Sequence, residues 1–404
     1  MKFKLFAVFY LIIAQHLIAA PSEILSFESI PSRVRNQNPE LAAARFRIDE
    51  AVGIAKQSGR LSNPTLDTGI SHNTRSAEGS AEIGFTQKFP LTNRLKIEKE
   101  ISATEIQAAE AEVKNVERLL ITEARQEFVK IIAIRERKNL LKQQQALATQ
   151  LTDFISDKSK QGESSPLDAA QAKLAALKLT TQEYQFSTEE TAALGNLRPL
   201  LGIAPETTIT LSGNPSGISF QNNSSIDRPD LTALKLQLRA AETSIALEHA
   251  NRKEDVELSV FATGERSEDA PNGLENDSMV GFKISIPIPF WKNNQGHIDA
   301  ANARRNRKNQ EVKALAIHID HETNTALTEM RQWAALISEL NDKLLPLAKE
   351  QTNLLEKSYR EGQTDLQTVL TSREQTLGLL ATHIDATREF HLANIRHQAS
   401  RGGL

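Results

Sequence analysis

The sequence predicts an α+β protein that is mainly α-helical and is built from two copies of one structural unit. Three observations lead to this fold class. Short motifs recur in the same order about 190 to 200 residues apart. Segments in which apolar and polar residues alternate occur in both halves of the chain. Each half also contains a long stretch in which apolar residues recur at spacings of three and four, which indicates extended helices.

The duplication rests on three pairs of motifs. The pairs are Asn38–Leu41 with Arg228–Leu231, Gly84–Leu91 with Gly281–Ile288, and Lys158–Leu167 with Lys357–Leu366. One match would carry little weight, but three in register indicate a repeated unit. Each repeat is predicted to contain a helix, a β-hairpin, a very long helix, a sharp turn and a further helix. Pro39 and Pro229 stand where a first-turn proline belongs, so a helix should begin at each.

The N-terminal segment has the three parts of a secretory signal peptide. Lys2 and Lys4 supply positive charge, Leu5–Ile18 is apolar, and Ala19-Ala20 provides the small residues of a cleavage site. The chain is therefore expected to be exported. The expected divisions are a signal peptide at 1–20, a first repeat at 21–205, a linker at 206–227 and a second repeat at 228–400.

The composition narrows the function classes. The chain contains no cysteine, so an exported form would be held by packing or assembly and could carry no cysteine-linked lipid anchor. After Pro21, no segment supplies the roughly 18 uninterrupted apolar residues of a transmembrane helix. The formal net charge is -3, so the chain lacks the excess of positive charge that is typical of nucleic-acid-binding proteins. Any membrane attachment must then come from the fold itself.

Four segments show the two-residue period of β-strands. They are Leu66–His72, Ala81–Phe89, Val256–Ala262 and Val280–Ile288. The polar stretches 73–80 and 264–278 are expected to be hairpin loops. Apolar residues on one side and small or polar residues on the other suit lipid on one face and water on the other. Ile83, Phe85 and Leu258 are therefore expected to face lipid.

Four strands are too few to close a barrel. An open sheet edge in lipid leaves backbone groups unsatisfied at several kcal/mol each, so further copies of the chain must complete the sheet. Three copies would give about twelve strands, enough for a water-filled barrel. Phe89, Phe290 and Trp291 fall where strands pass into helices, the level of an aromatic girdle. Two soluble hairpins packed on helices stay open as the alternative.

The helical stretches 96–160 and 298–359 contain no glycine, and only Pro346 interrupts the second. A helix of ~65 residues would be about 100 Å long. The apolar residues form a narrow seam of coiled-coil type. In the second stretch the seam consists of Val312, Leu315, Ile319, Met330, Trp333, Ile337, Leu340, Leu344 and Leu347.

Several passages resemble the TolC-like outer-membrane efflux protein family over essentially the whole predicted mature chain. Ile286–Gly296 resembles the strand-to-helix passage of its CzcC-like cation-efflux branch, and Thr86–Leu91 with Arg94 and Lys96 resembles the counterpart in the first repeat. The resemblance implies a trimeric outer-membrane β-barrel with four strands per subunit, continued in the periplasm by a long α-helical coiled-coil barrel. It implies a homotrimer that receives substrates from a periplasmic adaptor protein and an inner-membrane efflux pump. Heavy-metal cations or small toxic compounds are the expected substrates.

The resemblance also assigns roles to residues near the two helix turns. The expected adaptor-docking tips are Gly162, Ser164, Leu167, Gly362, Thr364 and Leu366. Related channels carry two acidic residues shortly after the second turn, where Thr368 and Thr371 stand here. Together with Asp365, these threonines form the candidate pore constriction. A simpler interpretation of the glycines, that they only cap helices, stays open.

The histidines give no complete metal site in the sequence. His318 and His321 lie one helical turn apart, but two ligands fall short of the three or four that a metal needs. They are expected to be structural or exposed to solvent. His383, His391 and His397 do not share one helix face and are expected on the surface.

No catalytic motif is present. The sequence contains no nucleophile elbow, no glycine-rich phosphate loop and no HExxH, so we expect neither an enzyme nor a bound cofactor. Transport would be passive. Two other classes stay open, a soluble periplasmic coiled-coil adaptor and a structural coiled-coil protein of the envelope. Adaptors carry additional β domains, and a structural coiled coil needs no alternating strands.

Overall fold

The computed structural model describes most of the chain. The described residues are 22–162, 165–213, 228–269, 271, 273–288, 290–291 and 293–403. The expected signal peptide, residues 214–227 of the expected linker and the predicted tip residue Ser164 lie outside them. Within the described residues the chain is mainly α-helical with small β-sheets, as predicted.

The elements follow the predicted order in both repeats. The first part of the chain contains β1 (Ser22–Ser26), a 3-10 turn (Phe27–Ser29), α1 (Ile30–Gln37), α2 (Pro39–Gln57), β2 (Thr65–His72), β3 (Gly79–Phe89), α3 (Arg94–Lys160), α4 (Pro166–Leu200) and β4 (Thr208–Ser212). The second part contains α5 (Pro229–Ala250), β5 (Val256–Asp269), β6 (Gly273–Ser285), α6 (Gln295–Glu339), a π-helical turn (Leu340–Leu344), α7 (Leu345–Arg360) and α8 (Leu366–Ser400). Helix, hairpin, long helix, turn and helix occur twice, which confirms the internal repeat.

Proline sets where several helices begin. Pro39, Pro166 and Pro229 each stand at the first residue of a helix, where the missing N–H costs no hydrogen bond. The predicted starts at Pro39 and Pro229 are thus confirmed. The helix α3 has 67 residues, so it is about 100 Å long. None of the helices in the described part of the chain has a segment long and apolar enough to cross a bilayer.

A second, two-stranded sheet was not predicted. The strand β1 pairs in parallel with β4, from Ser22 opposite Thr208 to Ser26 opposite Ser212. The segment expected to be a linker therefore contains a strand. A parallel pair joins segments that are far apart in the sequence, so neither short segment signals its partner locally.

The hairpin boundaries differ from the predicted ones. The strands β5 and β6 stay paired as far as Asp269 and Gly273, so most of the expected loop 264–278 is strand. Its polar composition misled the prediction, because a hairpin with both faces exposed can be polar on both sides. At the other end, β6 stops at Ser285 rather than Ile288. Pro287 cannot donate a ladder hydrogen bond and accounts for this earlier end.

The long helix of the second repeat contains a π-helical turn. The turn spans Leu340–Leu344 and lies between α6 and α7. Pro346 follows it at the second position of α7. Proline lacks an N–H and crowds the carbonyl four residues before it, and a locally wider helix accommodates both effects.

The π-helical turn moves the apolar seam by one residue. Leu340 is buried, but Leu344 and Leu347, which the seam predicts next, are exposed. Leu345 and Thr352 are buried instead, and they continue the seven-residue spacing from the shifted position. The predicted seam is therefore correct before the turn, at Ile319, Met330 and Ile337, and wrong after it.

The described residues divide into two compact units, each with residues of both repeats. One unit takes its residues from 1–38, 123–220 and 330–392, and it buries Phe128, Leu197, Leu201 and Phe390. The other takes its residues from 39–122, 221–329 and 393–404, and it buries Leu41, Ile121 and Ile319. The four-stranded sheet belongs to the second unit.

The histidines of α8 are not on the surface as expected. His391 and His397 are buried and His383 is half-buried. The last turns of α8 are enclosed on several faces, so helix periodicity alone does not reveal an exposed side. Burial lowers the pKa of His391 below its ordinary value of 6.5.

This burial predicts a loss of stability in acid. The folded protein disfavours the imidazolium form of His391, so the unfolded chain takes up its proton at a higher pH. The free energy of unfolding should fall as the pH drops through about 6.5 and level off below the lowered pKa. His391→Gln should reduce this loss in thermal unfolding, and His321→Gln, at an exposed position of α6, is the matched control. The same pH dependence in His391→Gln and in the unchanged protein would contradict the assignment.

Candidate functional site

The strands β2, β3, β5 and β6 form one antiparallel sheet in this order. The registers are continuous along each pair, so alternate residues of a strand lie on opposite faces. Phe85 lies opposite Leu66 on one side and Val260 on the other, and Val260 lies opposite Phe282. This row defines the apolar face of the sheet.

Most of the large side chains on the apolar face are exposed on the surface of the chain. Its large members are Leu66, Ile70, Ile83, Phe85, Leu258, Val260, Val280, Phe282 and Ile284. Of these, all except the half-buried Leu258 are exposed, and Val256 on the same face is buried at the start of β5. Ile83, Phe85 and Leu258, which the sequence predicts to face lipid, lie together here. A continuous exposed apolar surface of this kind marks contact with lipid or with another protein.

The opposite face, the polar face, carries hydroxyl and charged groups. The Thr86 hydroxyl donates a hydrogen bond to Asp67 Oδ2 at 2.7 Å and lies 2.8 Å from the Ser259 hydroxyl. Lys88 Nζ lies 2.8 Å from Glu257 Oε1 across β3 and β5. These contacts link three adjacent strands. The sequence predicts the alternation but not which polar groups meet.

Aromatic residues lie where strands give way to helices. Phe89 is the last residue of β3, and Phe290 and Trp291 follow β6. Trp291 is 94% exposed, and its ring centroid lies 6.0 Å from that of Phe290. Exposed aromatic side chains at this level fit the interface between lipid and water.

An ion-pair network holds the strands to the first turn of α3. Arg94 donates two hydrogen bonds to Asp255, just before β5, at 2.6 and 3.1 Å. It also contacts Glu98 Oε1 at 3.3 Å, and Glu98 Oε2 accepts the backbone N–H of Gly59 at 3.2 Å. Residues of both repeats are thus joined at one point. The sequence gives no signal that Arg94 and Asp255 pair.

The two turns between long helices have the same construction. Gly162 and Gly362 have φ angles of 78° and 74°, which favour glycine. Three residues later, Ser165 and Asp365 accept backbone N–H groups at the start of α4 and α8. Both glycines therefore cap helices, as the docking and the capping interpretations both require. An added Cβ at either glycine would meet nothing within 4 Å, so their backbones are open.

This construction corrects the predicted pairing of Leu167 with Leu366. Counted from the glycine and the capping residue, Leu366 corresponds to Pro166, and Leu167 corresponds to Gln367. Leu167 and Leu366 also differ in exposure, because Leu167 is 63% exposed and Leu366 only 3%. The Leu366 side chain therefore supports the turn from within and is not available for docking.

Leu366 belongs to a small core that lies beside both turns. The core contains Ile155 of α3, Ala172 of α4 and Leu366 of α8. Tyr359 of α7 and Leu370 of α8 pack against it. The residues that flank the two turns therefore lie close together, as the repeat pairing predicts. Thr364 is half-buried, and Leu167 is the exposed apolar residue of the first turn.

The candidate constriction residues share one exposed side of α8. Asp365, Thr368 and Thr371 lie three residues apart, and all three are exposed. The backbone N–H and the hydroxyl of Thr368 donate to Asp365, and these bonds lower the pKa of that carboxyl. The Thr371 hydroxyl donates to the Gln367 carbonyl at 2.8 Å. Asp365 thus stays ionised as a helix cap.

His318, one of the two histidines predicted to lie one turn apart on α6, contacts an ion-pair network. His318 Nε2 lies 3.0 Å from Glu322 Oε1, and Glu322 pairs with the buried Arg228. Arg228 also donates to both oxygens of Asp230, at 3.0 and 2.6 Å. Among the described residues, no three histidine or carboxylate side chains come together as metal ligands. Glu322 is used for structure at the start of the second repeat.

Two comparisons by sequence match this chain over both repeats. A family model described as outer membrane efflux protein matches residues 30–203 and 222–403, so it covers both repeats. The cobalt-zinc-cadmium resistance protein CzcC of Cupriavidus metallidurans is 22% identical over 355 residues, which cover 86% of this chain and 82% of that protein.

Solved structures share the fold. A structure of CusC matches with a TM-score of 0.80 at 18% identity, covering 94% of this chain and 92% of that one. The outer membrane protein VceC from Vibrio cholerae matches with a TM-score of 0.75 at 17% identity, covering 93% of this chain and 96% of that one. The resemblance to TolC-like channels is confirmed, and the chain belongs to the outer membrane efflux protein family.

Proposed function

We propose that this chain is the outer-membrane channel component of a tripartite efflux system. It passively conducts substrates from a periplasmic adaptor and an inner-membrane pump to the exterior. The observation that carries this proposal is the four-stranded sheet, which has one exposed apolar face, one polar face and two open edges. Membership in the outer membrane efflux protein family supports a membrane role for this sheet.

The sheet is completed by two further copies of the chain. In the part of the chain that the structure describes, only β3 and β5 of this sheet are paired on both sides, so β2 and β6 each keep an open edge. The strands alternate in direction, so β6 of one copy can pair antiparallel with β2 of the next. Three copies give a barrel of about twelve strands, with the apolar face toward lipid and the polar face toward water.

The helices supply the continuation of this barrel in the periplasm. On α4, Leu167 and Leu174 lie seven residues apart, as do Leu177 and Tyr184, and all four are exposed. This spacing is that of a coiled-coil seam, and the described residues leave the seam exposed. Helices of neighbouring copies can cover it, which favours a closed helical tunnel over an isolated subunit.

Heavy-metal cations are the substrate class we favour. The chain is similar to a protein named for resistance to cobalt, zinc and cadmium. Small toxic compounds are the second candidate, because a channel that holds its cargo only in passage need not bind one class tightly. Growth of cells that lack the gene, in graded zinc, cobalt or cadmium and separately in detergents or dyes, would separate the two.

Charge on the two faces of β5 tests the membrane-spanning role. Val260→Arg places a cation on the exposed apolar face and should cost roughly 2–4 kcal/mol near the bilayer midplane. The matched variant Ser259→Arg alters the neighbouring residue on the polar face and should insert normally. Outer-membrane fractionation and the yield of heat-sensitive trimers measure both. Equal insertion of the two variants would contradict the proposed orientation of the sheet.

Substitutions at the turns test adaptor docking. Leu167→Glu and Thr364→Trp should abolish efflux while trimers still form and insert, because they change the surface beside an intact cap. Gly362→Ala should instead lower trimer yield, because alanine is strained at positive φ by about 1 kcal/mol. Cross-linking from a cysteine at position 167 to the adaptor reports contact directly. Normal efflux and no cross-link in actively exporting cells would refute docking at these turns.

A further inference from the structure

The passage between strands and helices differs in charge between the two repeats. In the first repeat, the loop before β2 and the first two turns of α3 hold more basic than acidic residues: Arg60, Arg94, Lys96 and Lys99 with Glu98 and Glu100. In the second repeat, the loop before β5 and the first two turns of α6 hold more acidic than basic residues: Arg252 and Lys253 with Glu254, Asp255 and Asp299. The repeats share one fold, so the excess of positive charge in the first is not needed to build this passage.

The position of Arg94 shows which side of α3 the lysines occupy. A cavity at the end of the sheet is lined by Arg94 together with Lys88, Glu257 and Ser285, which the strand registers place on the polar face. Lys96 stands two residues after Arg94, and an α-helix turns by about 100° per residue. The exposed Lys96 side chain therefore leaves α3 on the side away from this cavity, which is the side of the apolar face.

Lys99 and Arg60 adjoin a loop that contacts the apolar face. Gln87, which the strand register places on that face, donates from Nε2 to the Ser62 carbonyl at 2.9 Å. The Lys99 side chain covers the backbone of Gly59, because a Cβ atom at Gly59 would be only 2.5 Å from Lys99 Cγ. Arg60 lies between Gly59 and Ser62 in the chain, and both Arg60 and Lys99 are exposed. The two cations therefore lie at the helix end of the apolar face.

Exposed apolar side chains accompany these cations. Phe89 ends β3 on the apolar face, Leu61 follows Arg60, and Leu91 stands just before α3. All three are exposed. Long basic side chains can lie along apolar groups while their charges reach outward. A surface of this mixed kind, at the edge of a face that contacts lipid, fits the level of phospholipid head groups.

We propose that Arg60, Lys96 and Lys99, the basic patch, bind the head groups of anionic phospholipids. The inference rests on the proposed function, which turns the apolar face toward lipid and leaves the helices in the periplasm. The basic patch then lies at the periplasmic leaflet of the outer membrane. The ligand is the phosphate of a lipid such as phosphatidylglycerol, with its acyl chains against Leu61 and Phe89. Each cation near an anionic lipid surface strengthens binding by about five-fold.

Lipid competition on the purified trimer tests the proposal. The full-length protein in detergent is mixed with equal amounts of phosphatidylglycerol and phosphatidylcholine, and native mass spectrometry gives the ratio of the two bound lipids. The unchanged trimer should retain at least about ten-fold more phosphatidylglycerol. The triple variant Arg60→Gln with Lys96→Gln and Lys99→Gln should bind the two lipids about equally. The matched variant Arg252→Gln with Lys253→Gln removes exposed cations from the second repeat and should keep the preference.

Further outcomes separate the basic patch from other roles of these residues. If the triple variant forms no trimers, Lys96→Gln and Lys99→Gln alone should each lower the ratio by about five-fold. A ratio that stays unchanged in these variants would overturn the proposal, and so would an equal loss in the matched variant. Inorganic phosphate at the concentration of the lipids should leave the ratio unchanged. Abolition of the preference by phosphate would assign the cations to a soluble anion and overturn lipid binding. An unchanged protein that binds neither lipid would count instead against the proposed function.

Discussion

The unpaired edges of the four-stranded sheet are the constraint on which the rest of the structure depends. The strands β2 and β6 each carry a row of backbone groups that have no partner strand among the described residues. Lipid cannot satisfy these groups, and water would leave the exposed apolar face unburied. Pairing β6 with β2 of another copy would satisfy these backbone groups, and it would close the sheet so that lipid can cover its apolar face. The proposed assembly would also bring a helix of a neighbouring copy to the exposed seam of α4, so the strands and the helices favour the same oligomer.

Glycine has two different uses in this chain, and they belong to different parts of the proposed function. Gly162 and Gly362 adopt a positive φ, which lets a very long helix reverse and leaves the backbone open at the turn. Gly281 instead provides space, because the ring of Phe261 lies where a Cβ atom would be. The first use shapes the turns that would meet an adaptor. The second lets two neighbouring strands accommodate a large side chain between them.

Local patterns predicted most of the fold. Alternation in β3 placed Ile83 and Phe85 on one face, and glycine marked both turns, because each feature is fixed by neighbouring residues. Long-range effects escaped prediction. The β1–β4 pair joins distant segments, the π-helical turn moved the seam away from Leu344, and packing around α8 buried His391. Within the site, the pairing of Arg94 with Asp255 and of Phe261 with Gly281 depends on strand register, which the sequence leaves open.

Disulfide formation between β2 and β6 measures the closure of the sheet most directly. The chain has no cysteine, so each introduced pair reports without background. Thr68→Cys can be combined in turn with Ser278→Cys, Val280→Cys or Phe282→Cys, all on one face of the sheet. Mild oxidation of outer membranes should link at least one combination into a ladder that ends at the trimer. Only monomers from every combination, despite normal insertion, would contradict a barrel closed by neighbouring copies.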